Sequence, residues 1–133
     1  MTIFCLDSNI VSFYMRKNQQ IIQRLHFELD HGNEVLIGPI AYYEVKRGFM
    51  AINANTRLKD FYTLCKVLGV GQLDNTILDI AAEMYVELRR KKKTLEDADI
   101  LMAAFCKGHD FTLVTNNTNH FAVLSDLHFC DWA

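Results

Sequence analysis

The segment TIFCLDSN, residues 2–9, decides the fold. TIFCL runs without polar alternation into Asp7, and residues suited to a helix start follow it. A short apolar run with a polar stop reads as a strand buried on both faces. Asp7 or Ser8 then caps a helix that begins near Asn9. The same order of strand, polar stop and helix recurs along the chain. Val35–Ile37 is followed by Gly38-Pro39, with proline placed for the first turn of a helix that carries Ile40, Tyr43, Glu44 and Phe49. FTLVT at 111–115 is followed by a turn or short helix over Asn116–Phe121, and His128–Cys130 reads as a last short strand.

Helical spacing fills the intervals. Ile21, Ile22, Leu25 and Leu29 predict a helix over 19–30, stopped by HGN at 31–33. Leu58, Phe61, Tyr62 and Cys65 predict another over 53–66, and Val67–Leu73 is a weak strand interrupted by glycines. The stripe Ile77, Ile80, Ala81, Met84, Tyr85 and Leu88 predicts a helix over 75–90. Thr94 with Asp97 resembles a capping box for a helix that runs to about Lys107 and ends at Gly108. Strands separated by helices of this length imply right-handed crossovers. The expected fold is α/β: a three-layer α/β/α arrangement around a short, mainly parallel sheet of about five strands.

Composition narrows the class. With 133 residues, half of them apolar, residues 1–133 are expected to form one domain with a core that needs no staples. No apolar run approaches a membrane span, and MTIFCLDSNIV lacks the basic start and cleavage site of a signal peptide, so a cytoplasmic location is expected. Cys5, Cys65, Cys106 and Cys130 never form a CxxC pair, which favours buried, reduced thiols over a zinc site. The net charge of −2 argues against nucleic-acid binding by bulk electrostatics. RRKKK at 89–93 is the local exception, read first as a solvated helix end that offsets the dipole.

In parallel sheets ligands gather beyond the C-terminal ends of the strands. Asp7, Glu44 and the Asn116-Asn117 pair all follow strands, and Asp97 and Asp99 open the helix that leads into FTLVT. Converging, the carboxylates would form an all-oxygen pocket suited to Mg²⁺ or Mn²⁺ and to phosphodiester chemistry. Positions two apart on a helix face different ways, so Asp97 and Asp99 do not both point into one pocket from regular helix. Asn9, Thr115, Asn116 and Asn117 are candidates to hold the carboxylates in place. Lys46 and Arg47, flanking Glu44, are candidates for substrate phosphate.

In order and spacing these segments resemble the PIN-domain ribonucleases, and more closely the VapC-type toxins of bacterial toxin–antitoxin systems. The resemblance runs from LDSNI to LHFCDW. Asp7 and Asn9 match the family's LDTN-like signature. Glu44 and Gly48 match its E-x-x-x-G helix. Asp99, Met102, Ala103 and Ala104 match its D-x-x-[ILM]-A-A segment, and Thr115, Asn116 and Asn117 its T-x-N turn. Where many members carry an acid before the last motif's phenylalanine, this chain has His120. Asp97 is then the candidate substitute acid, and His120 a candidate to contact phosphate or move a proton. The resemblance implies a Mg²⁺- or Mn²⁺-dependent endoribonuclease with Asp7, Glu44 and Asp99 as catalytic, metal-holding residues. It also implies an RNA substrate that includes tRNA in related members, a homodimer, and an antitoxin protein seated in the active-site groove. The aromatics around Phe13-Tyr14 and Phe61-Tyr62 are expected at such interfaces or in the core. His120 motivates an alternative, a PIN-like module that binds RNA or protein without cutting. A phosphoacceptor receiver domain fits worst, since only one acid follows the first strand and no lysine follows the last.

Overall fold

A computed structural model describes residues 1–133. The sheet has four strands in the order β2-β1-β3-β4, with β1 spanning Ile3–Leu6, β2 Glu34–Ile37, β3 Thr112–Val114 and β4 Phe129–Cys130. All pairings are parallel, with Leu6 opposite Ile37 on one side and opposite Val114 on the other. Phe4, Cys5 and Leu6 are all buried. Because successive strand side chains point to opposite faces, both faces of β1 are covered, as its unbroken apolar run predicts.

The helices are α1 (Ser8–Met15), α2 (Gln19–Asp30), α3 (Pro39–Ala51), α4 (Asn55–Leu68), α5 (Asn75–Arg90), α6 (Asp97–His109) and α7 (Thr118–Phe121). Their starts follow local chemistry. Asn18 caps α2 through Ile21 N, Asp74 caps α5 through Ile77 N, and Pro39 opens α3. Phe61 and Phe121 are fully buried, and Phe61 packs against Tyr42 and Phe49. The thiols are free, with Cys5 and Cys106 buried and Cys65 and Cys130 half-buried. No helix is long and apolar enough to cross a membrane.

Three expectations change. The fifth strand, Val67–Leu73, is a single bridge in which Val70 pairs with Ile37. Gly69 turns the chain out of α4 at φ 87°, and Gly71 leaves room for the Phe105 ring, which a Cβ there would strike. The Thr94–Asp97 capping box does not form: Glu96 occupies the N-cap without a side-chain bond. Nor does Gly108 end α6, which continues to His109 and turns at Asp110 in the left-handed region. Gly108 instead lets α5 approach, since a Cβ there would stand 2.6 Å from Ile77 Cδ1 and 2.9 Å from Ile80 Cδ1.

Phe61 and its neighbour Tyr62 should separate in stability. Phe61 is 0% exposed and Tyr62 40%. Phe61→Ala is expected to cost about 3–5 kcal/mol, and Tyr62→Ala about 1 kcal/mol or less. Urea denaturation of both variants checks this, and similar losses would contradict the burial.

Candidate functional site

Strand order places the site. From β1 the chain passes to β2 on one side, and β3 lies on the other, so the β1/β3 boundary is where the order reverses. Crevices form at such points because the flanking connections leave in opposite directions. Asp7 follows β1 and Thr115 follows β3, and Asp7 N donates to Val114 O at 2.9 Å. Thr115 Oγ1 donates to Asp7 Oδ2 at 2.8 Å, and Ser8 N donates to Asp7 Oδ1 at 2.9 Å. Thr115 Oγ1 also accepts from Asn117 N at 3.0 Å, and Asn9 Oδ1 accepts from Asn116 N at 3.2 Å. The loops after β1 and β3 are thereby clasped together. Of the polar residues singled out here, Thr115 and Asn9 contribute side chains to this clasp. Asn116 and Asn117 contribute backbone, and both are exposed.

Asp99 projects from the first turn of α6 toward α7, where its Oδ2 lies 3.3 Å from His120 Nδ1. Glu44 lies one turn into α3, 3.7 Å from Arg47. Electrostatics connect these groups. Burial pushes the Asp7 carboxyl above its ordinary range, against the hydrogen bonds from Thr115 and Ser8, and the charge of Asp99 raises it further. Burial likewise raises Asp99, opposed by His120 and reinforced by the charges of Glu96 and Glu44. Asp99 therefore acts on Asp7 on one side and feels Glu44 on the other, three acids from separate parts of the chain.

Asp97 does not join them. It is exposed and lines a shallow depression against α5 with Ala81, Tyr85 and Ile100. Glu96, which the sequence reading passed over, is the additional acid near Asp99. The available signal was its place just before the helix that carries Asp99, where it stands as the extended N-cap. Lys46 reaches Tyr42 Oη at 3.4 Å and lies 5.4 Å from the Tyr62 ring centroid. The Arg47 guanidinium lies 4.9 Å from the Tyr43 ring centroid.

No group of three or more His, Cys, Asp or Glu side chains stands close enough together to hold a metal ion by itself. The donor chemistry nevertheless fits a hard divalent cation. Asp7 and Asp99 repel one another, Glu44 and Glu96 add to the field on Asp99, and a cation would reverse that repulsion. Mg²⁺ commonly binds through one or two carboxylates and keeps waters for the rest.

Comparison with known proteins places this arrangement. A family model of the PIN domain matches residues 4–127. Ribonuclease VapC1 of Haemophilus influenzae is 22% identical over 131 residues, covering 98% of each chain. A chain in the crystal structure of VapBC2 from Rickettsia felis, bound to a DNA fragment from its promoter, superposes with TM-score 0.91. That chain is 22% identical, and the match covers 99% of this chain and 100% of the other. DNA-bound VapBC from Salmonella typhimurium gives TM-score 0.87 at 23% identity, with both chains fully covered.

The raised carboxyls of Asp7 and Asp99 have a definite sign in stability. An acid raised by folding adds stability below its unfolded value, about 3.9 for Asp. That contribution is lost as pH rises through the folded value. Asp7→Asn keeps the shape and removes the buried charge. It should raise the melting temperature by a few degrees at pH 7.5, with the gain disappearing near pH 3.5. Melting curves across that range check it; a loss at both ends would show that the carboxylate itself holds the clasp.

Proposed function

Because the chain belongs to the PIN domain family, we propose that it is an endoribonuclease, the toxin of a toxin–antitoxin pair, with tRNA among its substrates. The observation that carries this reading is the Asp7–Thr115 clasp at the ends of β1 and β3, with Asp99 held beside His120 and acting on the Asp7 carboxyl. The curated relative named Ribonuclease VapC1, matched over 98% of this chain, supports the activity. The VapBC complexes among the structural neighbours support an antitoxin partner. A homodimer and a cytoplasmic setting belong to the same reading, as does a single PIN-like domain over residues 1–133.

Asp7, Asp99 and Glu44 would hold Mg²⁺ or Mn²⁺, directly or through water. When bound, the ion polarises the phosphoryl group and supplies an acidified water as nucleophile. The chain's own side chains do the rest. Thr115 and Ser8 N fix the Asp7 carboxylate so that it meets substrate without reorganising. Asn9 keeps the two loops in register. His120, exposed and in contact with Asp99, moves a proton to or from the phosphate. Arg47, beside Glu44, meets a substrate phosphate and offsets its charge, with Lys46 one residue back on the same helix. Asp97, facing α5, has a structural role at the start of α6.

The absence of a preformed closed ligand shell, with His120 beside Asp99, favours one second reading: a PIN module that binds RNA without cutting.

The purified protein is expected to cleave a tRNA pool in Mg²⁺ or Mn²⁺ and to stop in EDTA. Asp7→Ala and Asp99→Ala should each lower the rate at least about 100-fold, the scale of removing a group that stabilises transition-state charge. No cleavage, with RNA bound and no Mn²⁺ taken up at millimolar concentration, would replace this reading with the second.

A further inference from the structure

A concavity of about 590 Å³ lies beside the carboxylate centre rather than on it. Glu44 stands on its wall, and the groove runs from there between the end of α1, the outer turns of α3 and the start of α4. Its surface has a definite chemistry. Val45 and Phe49 line it with apolar atoms, and Arg16, Lys17 and Arg57 bring cations to it. None of these three cations is in a salt bridge, although Glu44 and Asp60 line the same groove. Lys46 and Arg47 lie over tyrosine rings and do not line this groove. Past Glu44 the way is open. Gly48, one turn further along α3, also lines the groove, and a Cβ added there would meet nothing within 4 Å.

Free cations about an apolar floor, continuous with an acidic centre, suit a polyanion whose backbone is held by charge and whose bases rest on apolar and aromatic surface. We propose that this groove is a subsite for the substrate strand. In it, single-stranded RNA flanking the scissile phosphate lies across Gly48, with its phosphates on Arg16, Lys17 and Arg57 and a base against Phe49. The assignment rests on the nuclease reading above and adds to it residues outside the carboxylate centre. It also reconciles the chain's net charge of −2 with an RNA substrate, since the cations that matter are concentrated where the strand passes.

The test is fluorescence anisotropy with an unstructured, labelled 12-nucleotide RNA in EDTA, so that binding is read apart from cleavage. Arg16→Ala with Arg57→Ala should weaken binding at least tenfold. It should also flatten the dependence of log K on log salt by about 1.4, the value for two lost phosphate contacts on a single strand. Gly48→Glu, which places an acid in the open part of the groove, should weaken binding by a similar factor without removing any cation. Thermal melts establish that each variant is folded. In Mg²⁺ or Mn²⁺, kcat/KM of the double variant should fall at least ten times more for the 12-mer than for a dinucleotide. Affinity and salt slope unchanged in both folded variants would overturn the proposal and assign the groove to a protein segment instead. Wild-type protein that binds RNA with the expected slope but never cuts it would remove the nuclease reading and leave the groove assignment standing.

Discussion

The hydrogen bond from Thr115 Oγ1 to Asp7 Oδ2, 2.8 Å long, ties together the ends of β1 and β3 where the strand order reverses. Much of the site depends on it. Asp7 is 6% exposed and Thr115 is fully buried. A carboxylate that deep must find donors or lose its charge. Thr115 supplies one donor and Ser8 N the other, so each carboxylate oxygen has a partner. The same hydroxyl accepts from Asn117 N and so shapes the turn that leads to α7 and His120. One threonine side chain thereby positions an acid from one end of the chain and a histidine near the other.

The clasp holds together groups that repel one another. Asp99 raises the carboxyl of Asp7, and Glu44 and Glu96 raise that of Asp99. A fold selected for stability alone would disperse these charges or bury apolar groups instead. Concentrating them weakens the folded state at neutral pH and creates a demand for positive charge at one point. Inside the protein that demand is met only by His120 beside Asp99 and Arg47 beside Glu44. The repulsion is therefore informative: a site that is uncomfortable alone is complementary to positive charge.

The parts legible in the sequence are those set by local pattern. The boundaries of α2 and α5 follow from apolar periodicity and polar stops, β1 from an unbroken apolar run and β3 from the β-branched segment FTLVT. Asp7, Glu44 and Asp99 were legible because each sits next to such a boundary. What escaped is tertiary. Val67–Leu73 carries strand-forming residues, yet its first residues continue α4 to Leu68 and only Val70 pairs, with Ile37. Gly108 has the look of a helix stop and instead admits Ile77 and Ile80 of α5. The EDAD segment shows the limit most clearly. Composition offers three acids there, and the phase of α6 turns Asp97 toward α5 and Asp99 toward α7, while Glu96 precedes the helix as its N-cap.

Charge follows the same logic. Along the sequence the densest cations are RRKKK at 89–93, yet in the fold this run closes α5. Arg89 bonds Tyr85 Oη at 3.0 Å and Lys91 pairs with Glu87 at 3.1 Å. Cations in the last turn offset the helix dipole and stay solvated, so their density creates no binding site of itself. Arg16, Lys17 and Arg57 are unremarkable in the sequence, where forty residues and two helices separate the first pair from the third. The packing of α1 against α3 and of α3 against α4 brings them around one concavity beside Glu44. In a concave surface with low-dielectric walls, field lines concentrate and a few unpaired charges outweigh a longer run on a convex one. Net charge and local runs therefore say little about whether this chain takes a polyanion, and the geometry of its α1–α3–α4 corner says considerably more.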